Sequence, residues 1–381
     1  MGRRKFWATY RNKLILAGIL MAGVGGIYSL DNLFNLIYIQ PRTIELPGSQ
    51  FDNSLPLKPG DAFSIESATK LPNDFAVYNF EALNHNTLVL NRADASYTGM
   101  KLSLLHLDDN RVKDIDSSVL YNTFSFWNST LIYSRYRSNQ TQETYAYDPV
   151  SGQKKRLLSD KAFLMNRVGD EMYIGFDGST YRLFDLKTGK KEMLFTYEQL
   201  QEEIAKAAGI KAKDVYPISY ISPGPDDHQA YMLVQLGEHS GIFRFSLKGN
   251  PDGTLLTKAD EILDFQVLKN GDLLVRGTVA HVQGLYRYHS GSGVYELLKQ
   301  GLIWGVQIDE EQFRLAYLLG TDKQTNEVHV AYLQETGLAS DTVVYRNIDQ
   351  FIKLSWKADD LFVLGSSMEN SEIYRFTFRP W

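Results

Sequence analysis

Seven histidines are scattered through the 381 residues, and their spacing limits what they can do. His85, His106, His228, His239, His281, His289 and His329 include no His-x-Glu-x-x-His or comparable metal-ligand spacing. His106 and His329 fall inside alternating apolar runs, where a hydrogen-bonded structural histidine is expected. His228 and His239 flank one such run, with Asp226 and Asp227 nearby. That grouping fits a weak cation site or an exposed turn, and no metal is expected. The chain has no cysteine, which excludes disulfides, thiolate metal sites, cysteine nucleophiles and a lipoprotein anchor. No Gly-x-Ser-x-Gly elbow and no P-loop occur. Asp108-Asp109-Asn110, Gly291-Ser292-Gly293 and Asp359-Asp360 read as turns. No cofactor is expected, and no catalytic constellation stands out.

The elements that must position any site are repeated ones. Between residues 171 and 194 an alternating run, Met172 to Phe176, meets Asp177-Gly178. A second run reaches Leu186, then Lys187-Thr188-Gly189, then a third run follows. Apolar residues at every second position, separated by Asp-Gly or Thr-Gly, signal antiparallel hairpins. Similar units begin near residues 75, 119, 163, 215, 263, 302 and 351. A period of roughly 40–50 residues is that of four-stranded propeller blades. The expected fold is therefore all-β, a seven-bladed β-propeller of four-stranded antiparallel blades occupying residues 61–381. The seventh unit lacks a fourth strand, and an isolated alternating run at 61–66 fits the vacancy, pairing Phe63 and Ile65 alongside 373–378. Such a loan would remove the open edge. One interruption, near 197–209, places Leu200, Ile204 and Ala208 on one face with acids early and lysines late. It predicts a short amphipathic helix ended by Gly209, either packed on the rim or contacting a partner.

The first strand of each blade lines the central channel. The aromatics expected there are Tyr121, Phe126, Trp127, Tyr220, Trp304 and Trp356. They suit sugar or peptide binding at the channel mouth, or packing between blades. The third strands share a form, aromatic-x-aromatic-Asp-x-x-Thr/Ser-Gly, seen at 145–152 and again, shifted by a residue, at 181–189. In this they resemble the blades of the TolB-like and WD40-like bacterial propeller superfamily, over roughly 61–381. The resemblance is to propeller blades in general. It implies a binding platform, although the fold also hosts enzymes.

Composition places this body. Arg3, Arg4, Lys5, Arg11 and Lys13 make the first 13 residues strongly basic, so the rest is more acidic than the net charge of −5 suggests. A mildly acidic body argues against nucleic acid as a partner. The stretch opening at Leu14 and ending at Leu30 carries no charge. It is just long enough to cross a bilayer core of roughly 30 Å. Basic residues before it and none immediately after predict a cytoplasmic tail (1–13), a single-pass transmembrane anchor (14–39) and an extracytoplasmic body. A cleaved signal peptide is the alternative. Gly18, Ala22 and Gly26 recur on one helix face, which suits weak self-association or merely tolerates small residues. Four prolines between 40 and 60 form a tether. An exported chain without cysteine is commonplace among Gram-positive bacteria. Three functions follow as expectations: a binding or scaffolding module of the cell envelope with a protein or polymer as partner; a propeller enzyme acting on peptide or glycan; or a ligand sensor working through a partner.

Overall fold

A computed structural model of the chain describes residues 63–378, apart from 72–74, 94–99, 118, 128, 137–140, 161–162, 170, 227, 249–252, 310–312, 322–325, 349–350 and 367–370. The chain divides into two units, 1–45 and 46–381, and the described residues all belong to the second. The anchor residues Leu14, Gly18, Ala22, Gly26 and Leu30 and the proline tether lie outside the described residues. Among those described, no helix is long and apolar enough to cross a membrane.

The body is seven four-stranded antiparallel sheets, the blades of a propeller. Their inner strands are Val77–Asn84, Val119–Trp127, Phe163–Arg167, Val215–Pro223, Glu261–Val267, Leu302–Asp309 and Phe351–Lys357. Each begins within two residues of its expected start. An antiparallel blade of four strands returns the chain to the end at which it started, so all seven inner strands share one polarity. Seven hydrophobic clusters fill the spaces between blades, one for each neighbouring pair. Both faces of each sheet are thereby covered, which an isolated meander cannot achieve. Phe80 and Leu88 of the first blade pack with Phe362 and Leu364 of the seventh. Ser371 Oγ there accepts from the Val77 amide at 2.7 Å and donates to its carbonyl at 3.0 Å.

The seventh blade takes its fourth strand from the N-terminal side. That strand is Ile65–Leu71, paired antiparallel from Ile65 opposite Phe378 to Leu71 opposite Ile373. The expected run at 61–66 is therefore displaced along the chain, and Asp61 lies outside the described residues. The physical reason is edge position. Only the strand's ends are buried, while Glu66 to Lys70 face solvent, so no alternation marks them. Phe63 precedes the strand and stacks on Tyr332 of the sixth blade at 4.2 Å.

The shared Asp-x-x-Thr/Ser-Gly ends are turn chemistry. Asp185 accepts from the amides of Lys187 (2.9 Å) and Thr188 (3.1 Å) and from the Thr188 hydroxyl (2.6 Å), and Gly189 sits at φ +70°. Asp148 repeats the pattern with Val150, Ser151 and Gly152 at φ +72°. Only glycine enters that region without strain. The interruption is helix α1, Tyr197–Ala208, with Gly209 as its C-cap at φ +68°. Leu200, Ile204 and Ala205 are buried in the cluster between the third and fourth blades, so the helix covers that interface.

Candidate ligand site at the inner strands

All seven inner strands are bulged against their second strands in the first half or the middle of the strand, and that of blade 1 again at its end, between Ala82 and Asn84. In blades 5, 6 and 7 the extra residues are Leu263, Trp304 and Ile352. Blades 2 and 4 carry wider irregularities, spanning 120–123 and 218–220. A bulge bends its strand and re-aims side chains. Three of the aromatics singled out from sequence, Tyr121, Tyr220 and Trp304, lie in these irregular segments.

From blade 4 to blade 6 the inner strands are laced by hydrogen bonds from side chains to backbone carbonyls. The Tyr220 hydroxyl donates to the Phe265 carbonyl at 2.8 Å, and the Tyr220 ring stands edge-on to Phe265 at 5.1 Å. Beside it is Asp264, whose carboxylate faces Arg276 Nη2 at 3.9 Å. Arg276 Nη1 donates to the Ile303 carbonyl at 3.1 Å, which places the guanidinium next to the backbone of Trp304. Tyr220 is 36% and Trp304 52% exposed, and the Trp304 indole lies over Gly320 on the blade 7 face of its own sheet. Asp264 Oδ1 and Arg276 Nε are enclosed and lack hydrogen-bond partners among the described residues.

The electrostatics of the patch follow from its setting. Burial pushes the Asp264 carboxyl above its ordinary range, against the opposing pull of Arg276 and Tyr220. Burial also raises the Tyr220 phenol, and the Asp264 carboxylate adds to it. A second charged group lies on the inner strands of blades 1 and 7. Lys353 Nζ donates to Asn79 Oδ1 at 2.9 Å and stands 4.0 Å from Glu81. Burial raises Glu81 and lowers Lys353, each opposed by the other's charge. Both pairs are held where protein surrounds them but water still reaches them.

Other expected residues fall elsewhere. Trp356 lies between blades: Arg314 sits over its ring at 4.5 Å and Phe378 is 5.4 Å away. Arg314, 1% exposed, bonds Asp309 (2.6 Å), Asp359 (3.2 Å) and the Ala358 carbonyl, gripping the next blade's hairpin. Trp127 ends its inner strand opposite Thr130, away from the bulge. The side chains of Tyr121 and Trp127 are beyond what the structure describes. The Phe126 carbonyl accepts from Arg167 at 2.7 Å. His228 lines a groove of about 280 Å³ between blades 3 and 4, with Met172, Leu183 and Leu247. Its amide donates to Asp226 at 3.0 Å, which is turn geometry. Among the described residues no three His, Asp or Glu side chains are grouped to hold a metal ion.

Sequence reading missed Asp264 and Arg276, which lie in ordinary alternating runs. It also missed two charged clusters that stitch blades together. In one, Asp116 of blade 1 accepts from Tyr133 (2.7 Å) and pairs with Lys154 of blade 2. In the other the charges are exchanged: Lys299 of blade 5 pairs with Asp341 of blade 6 at 2.6 Å, and Tyr317 donates to Asp341 at 2.7 Å. His329 is held there between Asp341 (2.9 Å) and Glu327 (3.0 Å).

No protein-family model matches the sequence, and no curated protein matches it. Solved structures do. An oligogalacturonate lyase from Vibrio parahaemolyticus is 9% identical, with 83% of this chain and 96% of that one covered and a TM-score of 0.55. The β-propeller domain of the Trilobed protease from Pyrococcus furiosus is 11% identical over 80% of this chain and 96% of that one, with a TM-score of 0.54. The Pyrococcus horikoshii acylaminoacyl peptidase is 10% identical with a TM-score of 0.53; 80% of this chain is covered, but it spans only about half (52%) of that enzyme. TolB from Acinetobacter baumannii is also among the neighbours, at 13% identity and a TM-score of 0.43, a likeness too slight to carry an argument. At these identities the likeness is one of fold alone, a β-propeller.

Proposed function

We propose that this chain is a membrane-anchored, extracytoplasmic propeller that serves as a binding module of the cell envelope. Its partner, an envelope protein or polymer, is taken at the inner strands of blades 4 to 6, where Tyr220, Asp264 and Arg276 gather and Trp304 is exposed. The observation that carries the reading is the acid–guanidinium pair of Asp264, on the inner strand of blade 5, and Arg276, on the strand beside it, next to the part-exposed ring of Tyr220. Convergent polar groups between apolar walls are the usual make-up of a ligand site. The anchor rests on the uncharged stretch from Leu14 to Leu30 behind a basic tail, with Gly18, Ala22 and Gly26 as a pairing face. In this reading Ile65–Leu71 is the clasp that closes the ring.

Crosslinking in intact membranes, with and without residues 1–39, tests it. A specific envelope component should be captured by the full chain, and Trp304→Ala should abolish the capture. Recovery of no specific component would defeat the reading. A second reading, catalysis, draws on Asp264. A carboxyl raised by burial beside a phenol is suited to general-acid work. It predicts that Asp264→Asn retains the captured component but leaves it chemically unaltered, where the native chain converts it.

A further inference from the structure

We propose that Lys353 is a covalent binding site for aldehydes on the wall of the central channel, with Glu81 as the proton donor that turns the adduct into an imine. This goes beyond the binding reading and does not depend on it. The first argument is where the amine ends. Lys353 lies opposite Leu364, on the face of blade 7 that packs on blade 1. Glu81 lies opposite Val89, on the face of blade 1 that packs on blade 2. To reach Asn79 and Glu81, the Lys353 side chain must therefore cross the channel-facing edge of Val77–Asn84. Its Nζ arrives 5.9 Å from the ring centre of Phe124, on the inner strand of blade 2. The Lys353 and Glu81 side chains remain 33% and 39% exposed, so both are open to a small solute.

The second argument is that the pair is not closed. Lysines that tie blades together touch their carboxylates, as Lys299 touches Asp341 at 2.6 Å. Lys353 Nζ stands 4.0 Å from Glu81, beyond hydrogen bonding. Among the described residues its one hydrogen bond is to the neutral amide of Asn79, at 2.9 Å. A neutral acceptor fixes the amine without favouring its charged form as a touching carboxylate would. Burial lowers Lys353 against the charge of Glu81, and raises Glu81 against the charges of Lys353 and Lys357. Both directions favour a free amine beside a carboxylic acid, the nucleophile and proton donor that imine formation needs. The Nζ lone pair bonds to the aldehyde carbon, and the carbonyl electron pair moves to oxygen, which takes the Glu81 proton. Glu81 then accepts one proton from Nζ and returns it to the new hydroxyl. That hydroxyl leaves as water while nitrogen closes the double bond. Amine, aldehyde and acid thus become a protonated imine, water and a carboxylate, and the Glu81 carboxylate is left facing the cation.

The test is to treat the full chain with acetaldehyde and cyanoborohydride, which reduces a protonated imine to a stable amine, and to read each lysine by peptide mass spectrometry. At pH 7 Lys353 should be labelled at least about tenfold faster than the exposed Lys155 and Lys248, as befits an amine activated by burial. This comparison is made within one folded chain and needs no variant. Glu81→Gln should slow labelling of Lys353 by at least about tenfold and leave Lys155 and Lys248 unchanged. A carboxylate acting only through its charge would do the reverse, because its removal lowers Lys353 further and frees more amine. Labelling of Lys353 no faster than that of Lys155 and Lys248 would overturn the covalent site. Equal or faster labelling of Lys353 in Glu81→Gln would overturn the role of Glu81. Neither result depends on membrane capture, so the binding reading stands or falls separately.

Discussion

Glu143 shows how much a single carboxylate can be constrained without taking part in any site. The Tyr145 hydroxyl donates to it at 2.8 Å, Arg135 at 3.0 Å and Arg156 at 3.2 Å, and together they hold its pKa at about 2. A folded-state pKa below the unfolded one gives stability that is full above the unfolded value and lost as pH falls. The contribution should therefore fade between about pH 4.5 and about 2. Asp116 and Asp341, lowered by their lysine, tyrosine and histidine partners, add to the same acid limb. Urea midpoints across that window should fall less steeply for Glu143→Gln than for the native chain, although the variant starts lower at pH 7. Equal slopes would mean that the carboxylate is not held in this way. At this scale the sequence was a poor guide. Trp356 and Trp304 both sit in alternating runs, yet Trp356 is packed under Arg314 while Trp304 is the bulged residue and stays open. A one-residue bulge reverses which face a side chain occupies, and nothing in the local alternation announces it.

Elements were far more legible, because their signals are local. Blade starts follow from alternation and turn residues, and helix α1 from its apolar spacing, its charges and Gly209. Its N-terminus holds a capping box: Thr196 Oγ1 accepts from the Gln199 amide at 3.2 Å, and Gln199 Oε1 accepts from the Thr196 amide at 2.9 Å. Thr196→Ala should cost about 1 kcal/mol. Gly209→Ala should cost a similar amount or more, since φ +68° strains any residue with a Cβ. Both changes act where α1 covers the third and fourth blades, so hydrogen exchange should quicken there before it does elsewhere. Uniform quickening would show that the helix is not a local cover. The N-terminal strand was the element least visible: its polar, exposed middle carries no period for an observer to read.

For the molecule as a whole, stability depends on how the last blade is completed. Phe63 is buried against Tyr332 of the sixth blade and Phe378 of the seventh, 5.7 Å away. Phe63→Ala should cost about 3–5 kcal/mol, the usual range for emptying a buried aromatic site. Protease digestion should then release the N-terminal segment while the remaining blades persist for longer. Simultaneous loss of every blade would mean that the ring stands or falls as one unit. The seven-fold repeat could be read from the sequence because each unit repeats one signal. The pairing of residues hundreds apart could be inferred only from a missing strand, because distant partners leave no mark on each other's sequence.

That strand also has a mechanical meaning. Tension entering the body from the N-terminal side at residue 63 acts along Ile65–Leu71, in line with its pairing to residues 373–378. A force in that direction loads the row of hydrogen bonds together, as in a lap joint, instead of peeling them one at a time. Such a joint resists a steady pull better than its exposed, polar sequence would suggest. In an optical trap it should be the first contact to yield and the first to reform.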